Sequence, residues 1–220
     1  SVTCSRRREF DSCSTRTPEA SATASSRWYR TSNCRSIAFS HSHDSKQRRF
    51  AVKFLLPDFR DDKDQLQSLR NEYEIGSKLN HKTLLGAYER GDAGCGPYLM
   101  MDLFTGLNLR DVLHETWKEI QPLLPSIIGQ AAESVRAFHD HGFVHLDLKP
   151  DNYIVNENGE LRLIDFALAR RPPGRWERWF WKNRNQAIQG TRSYLSPEQI
   201  RREPVDRRAD IYGLGCTFYH

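Results

Sequence analysis

The segment His145-Leu-Asp-Leu-Lys-Pro-Asp-Asn152 packs carboxylates, an ammonium and an amide into one short polar run between two regular apolar patterns. Before it, Ser126 to His141 repeats Ile127, Ile128, Ala131, Val135 and Phe138 on one side of a helix, with Gly142 as the stop. After it, Asn156-Glu-Asn-Gly159 reads as a hairpin turn between the strands Tyr153-Ile-Val155 and Leu161-Arg-Leu-Ile164. The polar run is therefore one tight loop between a long helix and a hairpin, with Asp147, Lys149 and Asn152 gathered on it.

Upstream the pattern is of strands. Ser36-Ile-Ala-Phe-Ser40 and Arg49-Phe-Ala-Val-Lys-Phe-Leu-Leu56 read as a hairpin ended by Pro57. Asp58 to Asn80 follows with Leu66, Leu69, Tyr73, Gly76 and Leu79 at helical steps, a helix with one buried stripe. Two more strands are expected at Leu84–Glu89 and Tyr98–Phe104, with a Gly-rich turn over Gly91–Gly96. From Asn108 the character turns helical, beginning with Leu109–Glu115. The fold class is α+β, a small β-rich part followed by a mainly helical part, and no internal repeat is present.

The first thirty residues hold Ser, Thr, Arg and Cys with almost no aliphatics, too little to offset the entropy of ordering, so residues 1–26 read as a disordered tail. The net charge of +5 comes partly from Arg6-Arg7-Arg8 and partly from Arg170 to Arg184. No zinc spacing, recognition helix or RNA-binding signature accompanies it, and no nucleic-acid partner is expected. The five cysteines stand far apart without a Cys-x-x-Cys pair, which fits a reducing cytoplasm. His41, His43, His139 and His141 find no cysteine or carboxylate to complete a metal site and read as surface or core residues. No run reaches the ~18 apolar residues of a membrane helix. Nor does a signal-peptide pattern open the chain.

Phosphoryl transfer asks a protein to clamp the nucleotide phosphates, neutralise their charge with metal and aim the attacking hydroxyl. The chain offers each part in order. Lys53 ends a strand, and Glu72 lies 19 residues on within the expected helix, where the two can form an ion pair against the α- and β-phosphates. Asp147 can accept the proton of an attacking hydroxyl, Lys149 can neutralise the γ-phosphate, and Asn152 can bind Mg²⁺. Asp165, after the strand Leu161–Ile164, adds the anionic oxygen that Mg²⁺ favours. Each residue alone is ordinary; the ordered set is what points to the chemistry.

In this order the chain resembles the eukaryotic-type (Hanks-type) protein kinases, from about residue 31 to its last residue. Ala-Val-Lys53 matches the family's Val-Ala-Ile-Lys strand, Glu72 the glutamate of its small-lobe helix, and His145-Leu-Asp147 its His-Arg-Asp. Asp165-Phe166-Ala167 stands for Asp-Phe-Gly and Ser196-Pro-Glu198 for Ala-Pro-Glu. Asp210-Ile-Tyr-Gly-Leu-Gly215 is similar to the start of the helix whose aspartate anchors the catalytic loop. Lys149 within Leu-Lys-Pro, with Thr191, resembles the Ser/Thr subgroup, and Tyr194-Leu-Ser-Pro-Glu-Gln-Ile is similar to bacterial members. The resemblance implies a two-lobed fold, residues 27–104 forming the small lobe and 105–220 a C-terminally truncated large lobe. It also implies ATP and Mg²⁺ as cofactors, protein Ser/Thr hydroxyls as acceptors, and a bond from the Thr191 hydroxyl to Asp147 and Lys149. By the same resemblance Asp102-Leu103-Phe104 is the hinge that meets adenine, Met101 the gatekeeper, Asn108 a neighbour of the ribose, and Ala51 and Ile154 the residues that sandwich the ring.

The departures from the pattern are specific. The family's phosphate-loop glycines fall at Thr31, Asn33 and Ser36, which implies weaker ATP binding or a more open lid. Leu146 replaces the arginine that receives an activation-loop phosphate, and no Ser or Thr lies between Asp165 and Gly190, so no dependence on activation-loop phosphorylation is expected. Ala167 replaces the glycine of Asp-Phe-Gly, which implies tuned activity. Gly76 stands where a large apolar residue stacks on Phe166 in the family. The Trp- and Arg-rich stretch Arg170–Arg184 is expected to pack back on the helical part with its arginines solvated. The alternatives are a pseudokinase that keeps the fold as a binding module, and a small-molecule phosphotransferase, against which Lys149-Pro150, Thr191 and Ser196-Pro-Glu198 argue.

Overall fold

The computed structural model describes residues 34–41, 48–94, 96–174 and 190–219. The tail 1–26, phosphate-loop positions Thr31 and Asn33, and most of the Trp- and Arg-rich stretch lie outside the described residues. The chain divides into two compact units, one holding the residues up to Ser77 together with Ala87–Leu103, the other Lys78–Gly86 and everything from Phe104 onward.

The first unit is an antiparallel sheet of β1 (Cys34–His41), β2 (Arg48–Leu55), β3 (Ala87–Ala93) and β4 (Gly96–Asp102), in the order β1-β2-β4-β3. β2 lies between β1 and β4, and Ala51, Val52, Lys53, Phe54 and Leu55 are all buried instead of alternating, so both of its faces are covered here. Pro57 opens a single 3-10 turn. Asp62 then caps α1 (Lys63–Gly76), its carboxylate accepting the Asp64 and Gln65 amides at 2.8 and 3.1 Å. The helix is shorter than Asp58–Asn80, and its buried stripe runs through Leu69, Glu72, Ile75 and Gly76, with Tyr73 only half-buried. The stripe turns toward Glu72 because that side chain finds a cation inside the unit.

β3 departs from expectation at both ends. It runs on through Gly91 to Ala93, pairing Gly91 with Tyr98 and Ala93 with Gly96, where a turn over Gly91–Gly96 is expected. Gly91 is a strand residue with an aromatic neighbour: a Cβ there would stand 2.7 Å from Tyr98 Oη, and Tyr98 donates to Glu89 at 2.7 Å. Leu84 belongs to the second unit, forming a parallel bridge to Leu163.

That unit is mainly helical: α2 (Leu109–Glu115), α3 (Trp117–Ile120), α4 (Leu124–Asp140), α5 (Pro197–Ile200) and α6 (Arg207–Tyr219). A small sheet, β5 (Leu107–Asn108), β6 (Tyr153–Val155) and β7 (Leu161–Leu163), is ordered β5-β6-β7. α4 carries Pro125 in its first turn and buries Ile127, Ala131, Ser134, Val135 and Phe138. Ile128 is 43% exposed and not part of that stripe; it is one residue, or 100° of helix, past Ile127. Gln130 on α4 ties down the β6–β7 hairpin, donating to Gly159 O at 2.8 Å and accepting the Leu161 amide at 2.9 Å. Asn156 closes the hairpin turn by accepting the Asn158 and Glu160 amides at 3.0 and 2.9 Å. Among the described residues no helix is long and apolar enough to cross a membrane.

Candidate active site

In the first unit, β2 carries Lys53 and α1 carries Glu72. The Lys53 ammonium donates to Glu72 Oε2 at 2.7 Å, and both side chains are more than nine-tenths buried. Two charges so far from water are stabilised by facing each other. Ala51 and Met101 are buried register partners across β2 and β4. Asp102, at the end of β4, accepts the Tyr88 hydroxyl at 2.5 Å, and Tyr88 in turn meets Phe50 edge to face.

In the second unit, the loop after α4 is hung on α6. Asp210, 1% exposed, accepts the His145 amide on Oδ2 and the Leu146 amide on Oδ1, each at 2.8 Å. His139, from the last turn of α4, lies with Nε2 2.8 Å from the same Oδ2. Leu146 stands at φ 68°, a conformation unfavourable to a branched side chain, and is fixed there by the Asp210 bond and by Gln199 Nε2 donating to its carbonyl at 3.0 Å. Its side chain is buried with Val144, Val205 and Ala209. The His145 ring is enclosed by Phe138 and Phe166, with Nε2 3.2 Å from Ile164 O and Nδ1 3.3 Å from the Asp147 amide, which assigns the proton to Nε2.

Asp147 is the centre of the arrangement. Its Oδ1 accepts the Thr191 amide at 2.9 Å and the Thr191 hydroxyl at 3.0 Å. Its Oδ2 accepts the Lys149 ammonium at 2.6 Å and Asn152 Nδ2 at 3.2 Å. Lys149 also donates to Thr191 Oγ1 at 2.8 Å, so the hydroxyl receives from the ammonium and gives to the carboxylate. Gly190 makes this approach possible: it lies at φ 112°, and a Cβ there would be 3.2 Å from Leu146 O and 2.8 Å from Leu195 Cδ2.

Asn152 uses its amide nitrogen on Asp147, bonding the backbone carbonyl at 2.7 Å as well, which leaves its amide oxygen as the end open to a cation. The Ile164 amide donates to Asn152 O at 2.9 Å and so brings Asp165 beside it; Asp165 stands at φ 63° and is half-buried. One amide oxygen and one carboxylate, both hard donors, fit Mg²⁺, which takes the rest of its shell from phosphates and water. The described residues hold no cluster of three or more His, Cys, Asp or Glu that would make a protein-only cage.

The other expected positions are distributed. Phe104 is buried under the guanidinium of Arg162, 4.7 Å from its ring centre, and Ile154 lies in β6 opposite Asn108. Asn108 caps α2, accepting the Asp111 amide at 2.9 Å and donating to Asp111 Oδ2 at 2.8 Å. His139, Gln199 and Gln130 are supports that sequence reading missed; His139 reads as an ordinary core histidine, and only Asp210 beside it reveals the contact.

Residues 35–220 match the model of the family described as "Protein kinase domain". The chain belongs to the protein kinase domain family. The kinase domain is 34% identical over 176 residues to the serine/threonine-protein kinase PknB of Mycolicibacterium smegmatis, covering 78% of this chain and 28% of that protein. The PknB of Mycobacterium tuberculosis is 32% identical over the same length, again with 78% of this chain and 28% of that protein covered. A probable serine/threonine-protein kinase of Streptomyces coelicolor is 34% identical over 185 residues, 81% of this chain and 27% of that protein. The chain therefore spans little more than a quarter of the length of these curated relatives.

Proposed function

We propose that this domain transfers the γ-phosphate of ATP to Ser or Thr hydroxyls of proteins, with Mg²⁺ as cofactor and without a requirement for phosphorylation of its activation segment. The observation that carries the reading is the closed circuit Asp147–Lys149–Thr191. Asp147 receives the proton of the acceptor hydroxyl, Lys149 neutralises the transferring phosphoryl oxygens, and Thr191 holds the two in register. Asn152 and Asp165 hold the metal, which when bound supplies charge neutralisation at the phosphates. Lys53, kept in place by Glu72, serves the α- and β-phosphates. Ala51, Met101, Asp102, Phe104, Asn108 and Ile154 serve the adenosine.

The burial of Leu146 among apolar side chains supports independence from an activation-segment phosphate, since no guanidinium stands there to bind one. The kinase relatives support protein acceptors. The separated cysteines support a cytoplasmic location. The test is transfer from radiolabelled ATP to generic protein substrates, with Asp147→Asn as control. Label on Ser or Thr that the variant fails to produce supports the reading; ATP binding without transfer by the wild type refutes it. That second outcome would establish a pseudokinase, the reading favoured by the glycine-free sequence of β1.

A further inference from the structure

β3 and β4 pair in regular register from Ala93–Gly96 to Glu89–Met100, and then the ladder slips: the next pair is Ala87–Met101, so Tyr88 is one residue more than β4 can match. A bulge of this kind re-aims the side chain it carries and is common beside active sites. Here it sends the Tyr88 hydroxyl to Asp102, donating to Oδ1 at 2.5 Å, the short length of a charge-assisted bond. The ring meets Phe50 edge to face, with centroids 5.3 Å apart and planes at 76°. Phe50 is also the β2 residue paired with Asp102, so both contacts close on one position, the last residue of β4. Met101 before it is paired on two sides, with Ala51 and with Ala87. Asp102 is paired with Phe50 on β2, while β3 begins at Ala87, level with Met101. On that side the Tyr88 side chain takes over from the strand.

We infer that Tyr88 is a positioning residue for the nucleotide: by holding Asp102 against Phe50, it sets the backbone that enters the connector Asp102-Leu103-Phe104 and with it the fit to adenine. The inference rests on the kinase reading above, in which that backbone meets the base. What a base edge reads there is peptide N–H and C=O groups, and their aim follows φ and ψ. Hydrogen bonds weaken steeply as they leave line, so a small rotation of the Asp102–Leu103 peptide lowers affinity. The effect falls on the base, since Asp147, Lys149 and Asn152 belong to the other unit. It also discriminates between bases. Adenine presents a donor, its 6-amino group, where guanine presents an acceptor, its 6-oxo group, so an accurately aimed carbonyl favours the first and rejects the second. Tyr88 is 48% exposed, so deleting its hydroxyl removes the bond without opening a cavity in the core.

The plainer role of this contact is to steady the rim of the sheet, and nucleotide selectivity separates the two. ATP and GTP affinities of the full chain would be measured by titration calorimetry, with kcat and KM for transfer alongside. Tyr88→Phe keeps the ring on Phe50 and should weaken ATP binding, and raise KM for ATP, about fivefold, the scale of one hydrogen bond to a charged group near water. Its kcat should stay within about twofold, and its GTP affinity should change less than its ATP affinity. Asp102→Ala, which removes the acceptor, should weaken ATP binding by a similar factor, and the double variant should be no weaker than either single one. Unchanged ATP affinity in Tyr88→Phe, an equal loss for ATP and GTP, or single effects that multiply in the double variant would overturn the inference. ATP binding that shows the expected pattern without transfer by the wild type would sustain it while removing the kinase reading. Transfer by the wild type with unchanged ATP affinity in Tyr88→Phe would do the reverse.

Discussion

Leu146 donates its backbone amide to Asp210 Oδ1 at 2.8 Å while standing at φ 68°, so a strained residue next to Asp147 is held by a carboxylate 64 positions away. Removal of that carboxylate by Asp210→Ala leaves the His145 and Leu146 amides and His139 without their buried acceptor. A loss of about 3–5 kcal/mol in unfolding free energy is expected, as for breaking a buried charged network. Asp210→Asn retains an oxygen for one amide and should cost roughly half as much. Urea denaturation reads both; a change under about 1 kcal/mol for the alanine variant would mean that these bonds do not hold the loop.

Leu146→Arg asks whether the position accepts the arginine its relatives' pattern calls for. The side chain would enter the space shared with Val144, Val205 and Ala209, apolar side chains that offer a guanidinium no hydrogen bond. Stability should fall by about 2–4 kcal/mol, measured by denaturant midpoint at constant m. Phosphatase treatment of the wild type should leave transfer unchanged, and loss of activity on such treatment would contradict the proposed independence.

Thr191 offers a cleaner separation of position from bulk. Thr191→Val preserves the shape but deletes the hydroxyl that accepts from Lys149 and donates to Asp147, leaving only the backbone amide on Asp147. The kcat for transfer should fall on the order of 10–100-fold, comparable to mispositioning a general base. Thr191→Ser, which restores the hydroxyl, should stay within about threefold. Equal losses in the two variants would show that the methyl, not the hydroxyl, matters.

Strands β1, β2, β4, β6 and β7, the α2 and α4 helices and the polar loop are legible because each is written in a local period or in contiguous residues. What local patterns do not encode is which distant group completes a contact. Gly91 reads as a turn residue until Tyr98 is known to lie over it, and Ile128 reads as core until the stripe is seen to run through Ala131 and Val135. The site divides in the same way. Asp147, Lys149 and Asn152 share one octapeptide, whereas the Arg110–Asp151 ion pair and the Gln130 clamp join residues 41, 29 and 31 positions apart. Glu72 gains meaning only within the ordered set of site residues, because a helical glutamate has no local mark that it will be buried.

That burial supports the last prediction. Lys53 and Glu72 are both shut away from water, so removing either one deprives a buried charge of the opposite charge 2.7 Å away. Lys53→Met or Glu72→Leu alone should each cost about 3–5 kcal/mol of stability. Combining them removes both charges, and the double variant should recover most of the loss, since well-packed apolar replacements of buried ion pairs are often neutral. Transfer from ATP should stay abolished in the double variant. Stability that returns while transfer does not would assign the pair to function, at a cost the fold alone does not require. If the two single losses simply add in the double variant, the pair is not coupled and the placement of Lys53 by Glu72 fails.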